Sequence, residues 1–430
     1  MSVLSEIAGG RGQAMWGLSI SFPGSTQRLS NHPFTSATGG HFDGKVKSWG
    51  GLNYRISDRG GRLPAVETRV LVWDTDRVIN RLVSGVNANS IRGSAATIYL
   101  ATPTVASSSW LTVFSGKVTK VSFPEPFVAE ISLRVADDQL QRMSPRGGWA
   151  LSRVAWPNAA PEAYDLVAPV LYGVHDSTGM QQGPGLVPTI YVDTVQYRYL
   201  VCAGRAKSID YVYVDGVQTG SGWAVDYVTV HGRIYTLIDF TTDQGTAEIT
   251  CDANGYEAVG DGSGAVITNP ATQWAHRLTN FVLGDYTSGS WLSTNALIDS
   301  TSLSAAEAYM TLLGAKGSDY DDQKRTGLDI IARFCNSFRM RAWWTLGGKI
   351  AIGYENIFSA PYGGTRWRWT RDEVAPFSLV EEDFTVSSRI VVRQARSASQ
   401  GSYLSTFEVM DASFSSDTQE FLDLELSEAK

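Results

Sequence analysis

At Asn269-Pro270 the hydrophobic period of this chain changes, and that change constrains the fold more than any other feature. Upstream, TIYVDTVQYRYLVCAG, IDYVYVDGVQ and DYVTVHGRIYTLIDF alternate in twos, as strands with one buried face do. Asp215-Gly216 and His231-Gly232 fall where tight hairpin turns are predicted. GTAEITC at 245–251 closes that block. Downstream the spacing becomes three and four. Asn269 can cap and Pro270 can open a helix whose Trp274, Leu278, Phe281 and Val282 share one face. Ser304 and Glu307 have the spacing of a capping box, which predicts a second helix from Ser304. A third, beginning near Thr326, puts Leu328, Ile331, Phe334 and Cys335 on one stripe, and LGG between MRAWWT and KIAIGYE predicts a hairpin.

The N-terminal part reads differently. WGLSISF, VKSWGGLNYRIS, VETRVLVWD, ATIYLAT, LTVFSGKVTKV and FVAEISLRVAD are short strand patterns parted by turn residues, which predicts a β-barrel or sandwich, with DRVINRLV as one helical turn or two. A chain of 430 residues is expected to hold two to four domains, at roughly 100–200 residues each. The divisions predicted are a first β module at 1–141, a connector at 142–186, a hairpin module at 187–255, a Gly-rich joint at 256–268, an α+β module at 269–357 and further β structure at 358–430. In the last, TRWRWTR, FTVSSRIVVRQAR and YLSTFEVM are strand patterns, and QEFLDLELSEAK reads as a surface helix or a contact tail. The expected fold class is mostly β with α+β, multidomain.

Residues 251–264, CDANGYEAVGDGSG, invite a ligand reading. As an EF-hand loop the stretch fails, since counting from Asp252 places Gly255 at position 4, Glu257 at 6 and Ser263 at 12. As a phosphate loop it fails too, because AVITNP separates its glycines from the next helix and there is no GK[ST]. A joint whose glycines permit positive φ is the simpler reading, with its strand ending at Cys251.

Other chemistry is weakly supported. Of the histidines His32, His41, His175, His231 and His276, no two stand three to five residues apart, His231 is a turn residue, and His276 is placed on the polar face of its helix. The acid clusters Asp319, Asp321, Asp322 and Glu381, Glu382, Asp383 are expected as solvated loops. Cys202, Cys251 and Cys335 are scattered and suit buried free thiols; no metal or cofactor is expected. A net charge of −7 gives no broad footprint for nucleic acid. The first residues lack a secretory pattern and no apolar run approaches ~18–20 residues, so no membrane span is expected and synthesis is expected in the cytoplasm. Most of the 13 tryptophans are expected in cores. Trp343 and Trp344 should face opposite ways, whereas Trp367 and Trp369 share a face among Arg366, Arg368 and Arg371 and form a candidate interface.

The order of blocks adds a further signal. VLVWD followed by RVINRLV, FSGKVTKVSF, PVLYGV, VYVDG, DYVTV and YTLIDF, AEITCDANGYEAV, VITNPATQWAHRLTNF and TGLDIIARFCNSFRMRAWWTLGGKIAI together resemble the baseplate or tail-tip hub proteins of tailed bacteriophages, over about residues 15–400. Gene transfer agents carry similar hubs. The resemblance implies tube-like β-barrel modules, the second in 358–430, with an inserted α+β module, and a homotrimer. Such a trimer would join a sixfold tail tube and distal tail protein to a threefold central fibre or spike. It would pass double-stranded DNA without reading its sequence, reside in the virion at the tail tip, and perform no catalysis. The rival readings are a carbohydrate-binding or carbohydrate-degrading β-rich protein and a receptor-binding tail protein.

Overall fold

The computed structural model describes residues 14–354 apart from 23–24, 38–39, 53–62, 64, 85–91, 136, 142, 145–148, 178–184, 285–290, 293 and 339, and beyond them 389–396, 403–410 and 421–425. The described residues are mostly β, as the sequence predicts.

The N-terminal strands are β1 (Met15–Phe22), β2 (Ser25–Ser30), β3 (Val46–Trp49), β4 (Glu67–Trp73), β5 (Ala95–Ala101), β6 (Leu111–Glu125) and β7 (Val128–Arg134). They form one seven-stranded sheet in the order β2-β1-β5-β6-β7-β4-β3, antiparallel throughout. Leu18, Ile20, Val70, Val72, Ile98, Phe114, Ile131 and Leu133 turn inward at alternate positions. Curl comes from β6, which is 15 residues long and pairs β5 with its first half and β7 with its second. Its register shifts at Val118/Lys120 and Ser122/Glu125 bend the ladder, as bulges do. Gly116 permits the crossover, since a Cβ there would lie 2.2 Å from the Arg134 carbonyl oxygen.

The curl brings the two edges together. Asp43, just before β3, donates its N–H to the Arg28 carbonyl at 2.9 Å and accepts from the Ser30 N–H at 2.7 Å, forming a parallel bridge with Leu29 on β2. The tie is a single bridge, and among the described residues β2 and β3 form no further ladder across it. A short helix, α1 (Val78–Ser84), follows β4 and is held by Asp74, whose carboxylate accepts from the Ile79 and Asn80 N–H groups at 2.8 Å each.

A second core lies in two further antiparallel sheets. One runs β9 (Ile190–Asp193), β10 (Arg198–Ala203), β14 (Arg233–Phe240), β13 (Trp223–Val230). In the other, β15 (Ile249–Tyr256) pairs β11 (Ala206–Val214), which pairs β12 (Val217–Thr219). Asp215-Gly216 and His231-Gly232 make the predicted hairpin turns, all four with positive φ. The chain passes between the sheets at Gly204, whose carbonyl accepts from the Thr236 hydroxyl at 2.9 Å. Residues 149–172, including β8 (Val170–Tyr172), add Trp149, Leu151, Trp156 and Leu171 to this core.

The helices follow. α2 (Pro270–Arg277) is capped by Asn269, which accepts from Ala271 N–H at 3.0 Å, and it continues as a π-helical segment, Leu278–Leu283. α3 (Ser300–Leu312) starts four residues before the predicted Ser304. The cap is Asp299, whose carboxylate accepts from Ser302 N–H at 2.9 Å, and the expected capping glutamate, Glu307, instead accepts from the Thr272 hydroxyl of α2 at 2.8 Å. α4 (Gly327–Phe338) follows Thr326, which exchanges hydrogen bonds with Asp329 in a capping box. Strand β16 (Asp319–Asp321) pairs β8, and β17 (Met340–Trp344) with β18 (Ile350–Tyr354) makes the predicted hairpin, with Trp344 buried and Trp343 half-buried on opposite faces. Apolar residues of these elements and of the first sheet belong to one continuous core.

Near the C-terminus, Arg389–Arg396 pairs Tyr403–Met410 antiparallel and Phe421–Glu425 parallel. Phe421–Glu425 corrects the expected surface helix. From Leu422 the segment alternates apolar and acidic residues, LDLE, a period of two that suits a strand.

Candidate functional site

Two places gather chemistry that the sequence offered, and a third was not expected from it. The first is CDANGYEAVGDGSG. Its strand does not stop at Cys251 but runs to Tyr256 and is buried on both faces, with Gly255 so close to β8 that a Cβ would lie 2.6 Å from the Leu171 carbonyl oxygen. Its acidic and amide residues are paired, and their polarity is why the strand read as a turn. Asp252 accepts from Ser177 N–H at 3.0 Å, the Ser177 hydroxyl at 2.5 Å, the Tyr213 hydroxyl at 3.0 Å and Leu186 N–H at 3.2 Å.

Beyond it, the fully buried carboxylate of Glu257 accepts from the N–H groups of Val259 at 2.6 Å, Gly262 at 2.9 Å and Gly264 at 3.1 Å, and from that of Gly260. Positive φ at Gly260 and Gly262 turns these donors inward. Converging backbone N–H groups are an anion cradle, and here the anion is the chain's own side chain. The indole of Trp291 donates to the Glu257 carbonyl at 2.7 Å.

The second place is a buried ionic cluster. Asp319 and Asp321, expected in a solvated loop, are buried on β16 because pairing with β8 draws them beneath α2. Arg277 of α2 donates to Asp319 at 2.6 Å and to Asp321, which also accepts from Arg325 at 2.8 Å and Arg333 at 3.4 Å. Burial works against the Arg277 charge, but the two carboxylates overcome it and hold its pKa above the ordinary value.

His276 corrects a second expectation. Its ring is packed between Tyr172 and Trp291 and not on a polar helix face. Nδ1 lies 2.6 Å from the Tyr172 hydroxyl, and Nε2 is buried with no hydrogen-bond partner among the described residues. Burial pushes its pKa down to about 3, and pushes the Tyr172 phenol well above its usual range, so both are neutral. Among the described residues no group of three or more His, Cys, Asp or Glu could hold a metal ion. Cys202, Cys251 and Cys335 are buried free thiols, and burial raises all three pKa values, Cys202 and Cys335 to about 12.

The third place is an exposed aromatic rim at one end of the first sheet. The β6–β7 hairpin tip reads Phe123-Pro124-Glu125-Pro126-Phe127, and Phe123, Phe127 and the neighbouring Trp73 of β4 are 38%, 50% and 42% exposed. Charges surround them. Lys47 lies 4.7 Å over the Trp73 ring and pairs with Glu125 at 2.7 Å, and Arg77 lies 5.5 Å over Phe127. Phe127 holds φ at +61, a conformation that bulky residues rarely adopt. The sequence reading passed over this rim; two phenylalanines bracketing two prolines in a hairpin tip were the available signal. The predicted interface residues Arg366, Trp367, Arg368 and Trp369, with Arg371, lie outside the described residues, as do Glu381, Glu382 and Asp383. Among the described residues no helix is long and apolar enough to cross a membrane.

No family model matches the chain, and no curated protein matches it. Among solved structures, the virion of a native gene transfer agent particle contains a chain with which it shares 13% identity, over 59% of this chain and 84% of that one, at a TM-score of 0.26.

Proposed function

We propose that this chain is a structural hub subunit of a bacteriophage tail tip or baseplate, acting by assembly and without catalysis. In that role it forms a homotrimeric ring in the virion, joins the distal tail protein and sixfold tail tube to a threefold central fibre or spike, and leaves a channel for double-stranded DNA. The observation that carries the reading is the rim of Trp73, Phe123 and Phe127. Exposed aromatic residues ringed by paired charges are the composition of a protein contact, and a bulky residue held at positive φ is strain that a functional surface can account for. The block order of the sequence supports the finer assignment to a hub. A net charge of −7 suits a conduit that does not retain its DNA.

Electron microscopy of the purified full chain, and of particles containing it, tests this directly. A threefold ring with the rim at the subunit contact is the expected result. A stable monomer that hydrolyses a polysaccharide would overturn the assignment.

A further inference from the structure

The first sheet carries a second surface feature, a cavity of about 410 Å³ beside β1 and β2. Ligand pockets usually measure about 300–1,000 Å³ and present a few convergent polar groups on an apolar base. Both conditions are met here. The base is aromatic: Phe42 stacks on Phe34 at 4.8 Å and meets the Trp110 ring edge-on at 5.5 Å, while Tyr99 meets Trp110 at 5.7 Å. Gly17 makes room for it, since a Cβ there would lie 3.0 Å from the Phe42 ring. Trp110 is fixed by its indole N–H, which donates to the Val105 carbonyl at 3.0 Å.

Around that base stand Ser19, Ser36, Ser107 and Ser108, with the guanidinium of Arg28. Arg28 is exposed and makes no ion pair among the described residues. It looks across Gly40 towards Ser36: a Cβ on Gly40 would lie 3.6 Å from Arg28 Nε and 3.3 Å from Ser36 Oγ. A guanidinium matches a planar carboxylate with two parallel N–H donors, and serine hydroxyls both donate to and accept from alcohol groups. The half-buried Tyr99 ring, packed on buried Trp110, offers apolar surface to the C–H groups of a pyranose. One cation with no cradle of backbone N–H groups among the described residues suits a carboxylate better than a phosphate.

We propose that this cavity binds a uronic acid residue, free or at the end of a glycan. The proposal stands apart from the assembly reading, so either can fail without the other.

Calorimetric titration of the full chain with glucuronate, glucose, inorganic phosphate and a glucuronate-terminated oligosaccharide tests it. Glucuronate is expected to bind at least tenfold more tightly than glucose or phosphate. Arg28→Gln is expected to weaken it tenfold or more, and Ser108→Trp to block it by filling the cavity; both positions are exposed, so both variants are expected to fold. Binding of the oligosaccharide as tight as that of glucuronate identifies a glycan end as the ligand, and binding of glucuronate alone identifies the free acid. Absence of glucuronate binding, equal binding by both variants, or phosphate matching glucuronate would overturn the proposal.

Discussion

Arg277 on α2 and Asp319 on β16 form a buried ion pair, 2.6 Å from nitrogen to oxygen, that ties the helical unit to the strand paired with β8. Removing either one leaves the buried cluster short of a partner, since Arg277 would keep Asp321 and Asp319 would keep Arg333, at 3.7 Å. Asp319→Asn or Arg277→Met is therefore expected to destabilise the chain by about 3–5 kcal/mol, the usual range for breaking a buried pair from one side. Urea unfolding of the two variants measures this. A loss below about 1 kcal/mol in both would show that the pair is solvated in solution.

His276 predicts an acid-side loss of stability. Its folded pKa, about 3, lies below the value near 6.5 expected in the unfolded chain, so the unfolded state takes up a proton that the folded state refuses. Stability is thus fully present above pH 6.5 and falls as pH drops from there towards 3, by up to about 1.4 kcal/mol per pH unit from this group. Unfolding titrations at pH 7.5 and pH 5 should show a smaller difference for His276→Phe than for the parent. Identical differences would mean that the ring is reached by solvent.

Glu257→Gln keeps the size of the side chain but removes the charge and turns an amide NH₂ towards N–H donors. The expected loss is about 1–3 kcal/mol, with faster proteolysis within residues 257–264. Added Ca²⁺ is expected to leave the melting temperature of the parent unchanged, because the Glu257 carboxylate is already occupied by backbone donors. A calcium-dependent rise in melting temperature would reopen the metal reading of this loop.

Phe127→Gly separates strain from contact. Relief of a bulky side chain at φ +61 should leave the isolated chain as stable as the parent or more so, while the lost ring weakens assembly. Sedimentation beside a melting curve reads both effects. Full assembly by Phe127→Gly together with Trp73→Ser would remove the rim from the contact.

Gly116→Ala should fold poorly or lose at least about 2 kcal/mol, since its Cβ would enter the Arg134 carbonyl across the bend of β6. Thermal melting decides this, and an unchanged melting temperature would show that the crossover relaxes at low cost.

Local patterns were legible where turn and cap residues mark the ends of an element, even in β14, whose Tyr235–Ile238 are buried on both faces. The alternation in DYVTVHGRIYTLIDF and the turn at His231-Gly232 gave the β13–β14 hairpin, and the capping pair Asn269-Pro270 gave the start of α2. Legibility failed where a polar group finds a distant partner. Asp252, Asp319 and Asp321 looked like loop acids because their partners Ser177, Tyr213 and Arg277 stand 39 to 75 residues away, a separation no window can register. Ser304 and Glu307 have the right spacing for a cap, but Asp299 caps the helix one turn earlier while Glu307 is taken up by the Thr272 hydroxyl of α2.

The sequence by itself determined the succession of elements, because hydrophobic period, turn residues and caps act within a few residues of one another. Tertiary structure alone decided that Asp43 bridges the two edges of the first sheet at Arg28 and Ser30, that the Gly-rich stretch folds around Glu257, and that Trp73 and Phe127 both stand exposed at one rim. Each of those outcomes depends on which distant donors, acceptors and rings the packed chain brings within bonding distance, and only the assembled core sets those distances.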